Sequence, residues 1–195
     1  MNRIQICLLF ALLLFTNILL GQQTESKISA SNDWRGELFD FPLEFAPEID
    51  LKGFEEIKFS PGWADSTAND FWTYHFTWFL EKEYSITEEF LSDSFELYFD
   101  GLAKAVLGQQ DDSSIIVEPD QSLCLFIKSR EGFSGKLRIF DSFFTKDYII
   151  LNVKVREKIC EKTNEHIVSF DLSPKSFDDD IWQIFQNVEV IKECQ

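Results

Sequence analysis

The chain has 195 residues, a formal net charge of −16 and a hydrophobic fraction of 45%, with 21 Phe, 5 Trp and 4 Tyr. This aromatic content provides ample apolar surface for a folded core and excludes a disordered or collagen-like chain. The balance of 34 acidic against 18 basic residues argues against nucleic-acid binding through general positive charge, so we expect no nucleic-acid partner. The length fits a single domain.

The first 21 residues have the pattern of a secretory signal peptide. Arg3 gives a positive start, residues 4–20 are apolar with three polar interruptions, and Gly21 is a small residue suited to cleavage. A membrane anchor is the alternative, because the run is at the lower edge of the length that spans a bilayer. The pattern predicts export to the periplasm or the extracellular space. No second apolar run of this length follows, so we expect no membrane span in the mature chain.

Three cysteines follow the signal segment: Cys124, Cys160 and Cys194. In an oxidising compartment an odd number permits one disulfide with one thiol left over, and all three pairings are open. The alternative is three reduced thiols that are buried as small apolar side chains. The cysteine spacing matches no metal motif and no cofactor motif is present, so neither a metal nor a cofactor is expected.

The segment that follows residue 21 divides into a leader and a domain. Residues 22–36 are polar and predict a flexible leader, and residues 37–195 predict a single α+β domain. Two prolines in residues 37–51 favour an extended segment that lies on the core. Strands are predicted at 53–60 and 71–81, the second with an alternation that places Trp72, Tyr74, Phe76, Trp78 and Leu80 on its buried face.

The second half of the chain predicts one long helix and then strands. Ser85 with Glu88 has the spacing of a capping box, Thr87 is an alternative cap, and Gly108 ends the apolar stripe of the helix. Strands are predicted at 115–117, 122–130, 135–144, 148–160 and 165–172, and a short C-terminal helix begins at Asp178, Asp179 and Asp180. The sequence therefore predicts an antiparallel sheet of six or seven strands with one long and one short helix.

His75 is the main candidate for chemistry. It lies between Thr73 and Thr77 on the more polar face of the 71–81 strand. With Asp65 or Asp70 it could form the acid/base group of a small hydrolase acting on an envelope polymer. Alternatively it is a structural cross-strand partner. The sequence favours this second interpretation, and a protein that is not an enzyme, because it contains no G-x-S-x-G, H-E-x-x-H, P-loop or C-x-x-C motif.

Basic residues concentrate in residues 121–162, where nine of them accompany only five acids. Seven alternate within the predicted strands: Lys128, Arg130, Lys136, Arg138, Lys154, Arg156 and Lys158. If these strands are neighbours, one sheet face carries a cationic patch that favours an anionic glycan, a lipid phosphate or an acidic protein surface. The alternative is solvated charge that keeps a sheet soluble. We therefore expect a non-catalytic binding or interaction protein that uses this face or the loop around Trp63 and Trp72.

Three stretches resemble a group of uncharacterised exported bacterial proteins. They are FPLEFAPEI at 41–49, GFEEIKFSPGW at 53–63 and FWTYHFTW at 71–78. The resemblance covers residues 41–78 only. It implies no activity, and no residue role follows from it.

Overall fold

The computed structural model describes residues 26–81, 84–108 and 119–190. The strands are β1 (Ile28–Ser29), β2 (Arg35–Asp40), β3 (Gly53–Phe59), β4 (Tyr74–Leu80), β5 (Leu123–Ser129), β6 (Gly132–Phe140), β7 (Tyr148–Cys160), β8 (Glu165–Ser173) and β9 (Glu189–Val190). The helices are α1 (Glu88–Gly108) and a 3₁₀ helix (Asp180–Asn187). The α+β prediction is confirmed.

The main sheet has seven antiparallel strands in the order β2-β3-β4-β8-β7-β6-β5, and β1 pairs with β9 in a small second sheet. Two meanders, β2–β4 and β5–β8, meet where β4 pairs with β8. Helix α1 connects them, so the chain passes from the centre of the sheet to its far edge and then returns strand by strand. All seven residues of β4 are buried because both faces of the sheet are covered at its centre.

One face of the main sheet, the helix face, packs against α1. Thr87 caps this helix, since Phe90 N donates to Thr87 Oγ1 at 3.1 Å. Leu91, Phe95 and Tyr98 form its buried stripe. The predicted inward face of β4 is confirmed, because Phe76 and Trp78 lie in this core and are fully buried.

The opposite face, the outer face, is covered near β4 and β8 by the N-terminal segment and the 3₁₀ helix. Ile28 packs with Phe79 and Ile167, and Trp182 lies in a neighbouring cluster on the 3₁₀ helix. The prediction that residues 22–36 form a flexible leader is wrong for residues 26–36, the part of this segment that the structure describes. Residues 26–36 contain β1 and the start of β2, and Lys27 N donates to the carboxylate of the buried Glu56 at 2.8 Å.

Several local predictions need correction. Strand β4 begins at Tyr74, because Trp72 has φ +53 and so turns the chain out of the extended conformation. The short C-terminal helix is of the 3₁₀ type and begins at Asp180, and it is capped by Asp179, whose Oδ1 accepts a hydrogen bond from Ile181 N. The predicted strand at 115–117 lies outside the described residues.

Cys160 is disulfide-bonded and Cys124 is free. No helix in the described ranges is long and apolar enough to cross a membrane.

Candidate functional site

A polar network lies on the outer face across the junction of the two meanders. His75 and Asp171 are opposite each other in the β4–β8 register, and His75 Nδ1 lies 2.7 Å from Asp171 Oδ1. His75 Nε2 lies 2.9 Å from Thr77 Oγ1, and that hydroxyl lies 3.0 Å from Ser169 Oγ. Arg156, from β7, donates through Nη1 to Asp171 Oδ2 at 2.7 Å. The network therefore links three neighbouring strands through side chains.

Neighbouring side chains stabilise the charged form of Asp171, although the residue is only 1% exposed. Burial raises the pKa of its carboxyl group. The hydrogen bond and charge of His75, together with Arg156, lower the pKa by more than burial raises it, so the pKa is below its ordinary value. A carboxylate only accepts hydrogen bonds, so His75 Nδ1 carries a proton and donates a hydrogen bond to Asp171. Asp171 thus fixes the orientation of the imidazole ring.

The order carboxylate, imidazole, hydroxyl is also the order of hydrolase triads. A polymer substrate must reach the hydroxyl group, however, and Thr77 is 0% exposed while His75 is only 2% exposed. Neither carboxylate expected beside His75 is among its hydrogen-bond partners. Asp65 accepts from Thr67, and Asp70 accepts from Gly62 N. The geometry is that of an enclosed structural network.

The seven predicted anion-binding residues separate into two groups. Five share the outer face: Lys136, Arg138, Lys154, Arg156 and Lys158. Lys128 is opposite the buried Phe133 and therefore lies on the helix face, and Arg130 is in the turn after β5. The prediction of one patch is wrong for these two residues, because Lys128 and Lys136 have opposite parity in the β5–β6 register.

Helix α1, which carries the acidic residues Glu89, Asp93, Glu96 and Asp100, packs on the opposite side of the sheet from these five cations. Arg156 binds Asp171, and the Arg138 guanidinium lies 3.7 Å from the centre of the Tyr148 ring. Lys154 Nζ lies 4.4 Å from the centre of the Trp182 ring. On α1, Glu96 instead accepts a hydrogen bond from Cys124 N. Arg138 and Lys154 therefore place positive charge beside aromatic rings on the outer face, and Arg138 Nη2 also lies 4.0 Å from Asp120 Oδ2.

An exposed apolar row on β5 lies beside these cations. Leu123, Leu125 and Ile127 are 58%, 66% and 60% exposed. Ile150 on β7 and Phe177 after β8 are also exposed. We call these five side chains the β5 patch. A groove of about 520 Å³ runs between β5–β7 and the chain after β8, and Lys136 lines it.

Sequence reasoning missed the β5 patch. The run from Leu123 to Ile127 is entirely apolar, a pattern typical of a strand that is buried on both faces. Here only Cys124 and Phe126 are buried, because the 3₁₀ helix covers the outer face near the centre of the sheet and not at its β5 edge. The apolar run was therefore visible in the sequence, but an apolar run does not show whether its strand is at the centre or at the edge of the sheet.

A second concave site lies on the helix face, around Trp63 and Trp72. It is a cavity of about 260 Å³, and nine of its twelve lining residues are aromatic. The others are Ile57, Leu102 and Glu37. We call it the aromatic pocket. The loop before β4 was a predicted candidate surface, and the structure brings it together with β2, β3, α1 and the loop after β6.

A buried carboxylate lies behind the wall of the aromatic pocket. Glu55 is 0% exposed on the helix face and accepts hydrogen bonds from Trp78 Nε1 at 2.8 Å and from Tyr98 Oη at 2.9 Å. Burial raises the pKa of Glu55 to about 7, although both hydrogen bonds oppose the shift. The sequence analysis predicted a strand at 53–60 and identified no buried acid in it, since a strand pattern does not show which of its carboxylates the helix will cover.

Within residues 26–81, 84–108 and 119–190, no group of three or more His, Cys, Asp or Glu side chains lies close enough to hold a metal ion. Comparisons of this chain with protein-family models, with curated proteins and with solved structures give no match. The resemblance of residues 41–78 to exported bacterial proteins therefore stays a prediction. The function has to be inferred from the geometry of the two surfaces.

Proposed function

We propose that this protein is an exported, non-catalytic binding protein that docks an acidic partner protein on the β5 edge of its sheet. The observation that carries the proposal is the β5 patch, an exposed apolar row beside Lys136, Arg138 and Lys154. Monomeric proteins rarely expose contiguous apolar surface of this kind without using it. The neighbouring cations favour an acidic partner over a neutral one.

The main chain of β5 supports a protein partner over a lipid or a glycan. Among the strands that the structure describes, β5 is at the edge of the sheet, and Cys124 N points away from β6, since it donates to Glu96 Oε1 at 3.1 Å. Alternate residues of an antiparallel ladder share this orientation, so the N–H and C=O groups of Phe126 and Lys128 also point away from β6. A partner strand could pair there and place its side chains against Leu125 and Ile127.

The hydrolase alternative has no comparable support. It required His75 to act with Asp65 or Asp70, whereas the ring nitrogens of His75 are engaged by Asp171 and Thr77. Burial of Thr77 and His75 also keeps a polymer away from the network. Export itself is supported by the pattern of residues 1–21. N-terminal sequencing of the protein from the envelope fraction should find a mature start near Gln22, and an intact Met1 would contradict export.

The docking proposal can be tested with a photo-crosslinking amino acid at Leu125 in envelope extracts. We expect a crosslinked adduct with an acidic protein. Its yield should fall as the salt concentration rises, because surface charges are screened over about 8 Å at physiological ionic strength. The double variant Lys136→Glu, Lys154→Glu should abolish the adduct. The matched control is the same crosslinker at Ile159, an exposed apolar position on β7 outside the β5 patch. Identical adducts at both positions, a crosslink between two copies of this chain, or binding to anionic vesicles alone would contradict the proposal.

A further inference from the structure

The aromatic pocket has walls that meet at steep angles. Trp63 is central to it, with ring centroids 5.0 Å from Phe144 and 5.7 Å from Trp72, both in edge-on arrangements. Phe59 lies 4.4 Å from Trp63 on another side. Phe143 is 36% exposed at the rim, so the pocket is accessible to a small molecule. Rings that meet edge to face lie in different planes, so the aromatic wall of the cavity contains rings in more than one orientation.

The charge around the aromatic pocket is negative. Glu37 is its only charged lining residue, and Glu37 shares the helix face of the sheet because it is opposite Ile57 in the β2–β3 register. Behind the wall, the Glu55 carboxyl accepts the hydrogen bond of Tyr98 Oη, and Tyr98 itself lines the cavity. No Lys or Arg is among the twelve residues that line the pocket.

Aromatic faces and a carboxylate together select for a particular ligand chemistry. The face of an aromatic ring is electrostatically negative and attracts cations, most strongly when the cation is poorly hydrated. Quaternary and tertiary ammonium groups are such cations, and they also present apolar surface that fills an aromatic cavity. A cavity of about 150 Å³ is enough to bind benzene. The 260 Å³ here is larger and therefore accommodates an ammonium group with a short substituent.

We propose that the aromatic pocket binds a small organic cation of the quaternary or tertiary ammonium class, held by the rings around Trp63 and by Glu37. The pocket lies on the helix face, away from the β5 patch. The outcome of a cation-binding test is therefore independent of the proposed partner docking.

The test compares choline with 3,3-dimethylbutan-1-ol, which has the same shape but carries a carbon in place of the charged nitrogen. Tryptophan fluorescence and calorimetry should show saturable binding of choline with a Kd at least about tenfold lower than that of the neutral analogue. Glu37→Gln should raise the Kd for choline several-fold. Phe143→Leu should also raise it, because it keeps apolar area but removes a π face.

The matched control is Asp40→Asn, which removes an acid from the same strand on the opposite face of the sheet. It should leave the Kd for choline unchanged. Glu37 is exposed, so loss of binding in Glu37→Gln will not report unfolding. Equal or tighter binding of the neutral analogue would overturn the proposal, and so would the absence of saturable choline binding in the wild-type protein or an equal effect of Asp40→Asn.

Discussion

His75 Nδ1 and Asp171 Oδ1 are 2.7 Å apart across the β4–β8 junction between the two meanders of the main sheet, and both side chains are almost fully buried. A buried ion-paired group is weak evidence for net stability, but removal of one partner is costly because the other loses its compensation. This relationship changes what is expected of His75. A half-exposed strand histidine would contribute on the order of 1 kcal/mol or less to the free energy of unfolding.

Truncation of the network should destabilise the fold. We expect Asp171→Ala to lower the free energy of unfolding by about 3–5 kcal/mol, because it leaves the buried His75 ring without its acceptor. His75→Ala should cost about 1–3 kcal/mol, since Arg156 still compensates Asp171. Urea denaturation at neutral pH measures both. Lys136→Ala, at an exposed position on the same face, is the control and should change stability by less than about 0.5 kcal/mol.

Glu55 should make stability fall as pH rises through neutrality. The pKa of Glu55 is about 7 in the folded protein, above the ordinary value of 4.5 for a glutamate that is exposed in the unfolded chain. Between these values the folded protein keeps a proton that the unfolded chain releases, so a higher pH favours unfolding. Relative to Glu55→Gln, the wild-type protein should lose on the order of 3 kcal/mol between about pH 4 and pH 8.

Urea denaturation across that pH range measures the difference between Glu55→Gln and wild type. Glu48→Gln, at an exposed position, should retain the wild-type pH profile. The Asp171 contribution is distinguishable, because its lowered pKa makes stability fall only as pH decreases below the ordinary range of an aspartate. A pH-independent difference between Glu55→Gln and wild type would show that Glu55 is ionised in the fold.

Gly101 lets α1 approach the segment before β3. A Cβ atom at this position would lie 1.9 Å from the carbonyl oxygen of Phe45, whereas a Cβ at Gly108 would meet no heavy atom within 4 Å. Gly101→Ala should therefore destabilise the protein by about 1–3 kcal/mol, since the helix must move outward. Gly108→Ala should be neutral or slightly stabilising through higher helix propensity. Thermal melts of the two variants provide the comparison, and equal melting temperatures would contradict the close contact.

The two cysteines in the described residues have different oxidation states. Cys160 is disulfide-bonded, and Cys124 is free. Peptide mapping without reduction should recover Cys160 in a crosslinked peptide and Cys124 in an uncrosslinked one. Burial, with the charges of Glu96 and Asp100, raises the pKa of the Cys124 thiol, so it should be alkylated only after unfolding. A peptide joining Cys124 to Cys160 would contradict this assignment.

Much of the fold follows from local patterns in the sequence. The alternation of β4 placed Phe76 and Trp78 correctly in the core, and the apolar stripe of α1 placed Phe95 and Tyr98 against them. These predictions succeed because the period of a strand or helix fixes which side chains share a face. Strand β7, expected at 148–160, has these bounds in the structure.

The candidate sites depended on which elements meet, and local patterns do not contain that information. His75 is buried because β8 brings Asp171 beside it and the 3₁₀ helix packs near the same face. Leu125 is exposed because β5 is an edge strand whose outer face lies beyond that cover. Glu55 is buried because α1 brings Tyr98 to its carboxyl group. The sequence determined the faces of each element, and only tertiary packing decided which faces are covered, since burial depends on neighbours that are distant in the chain.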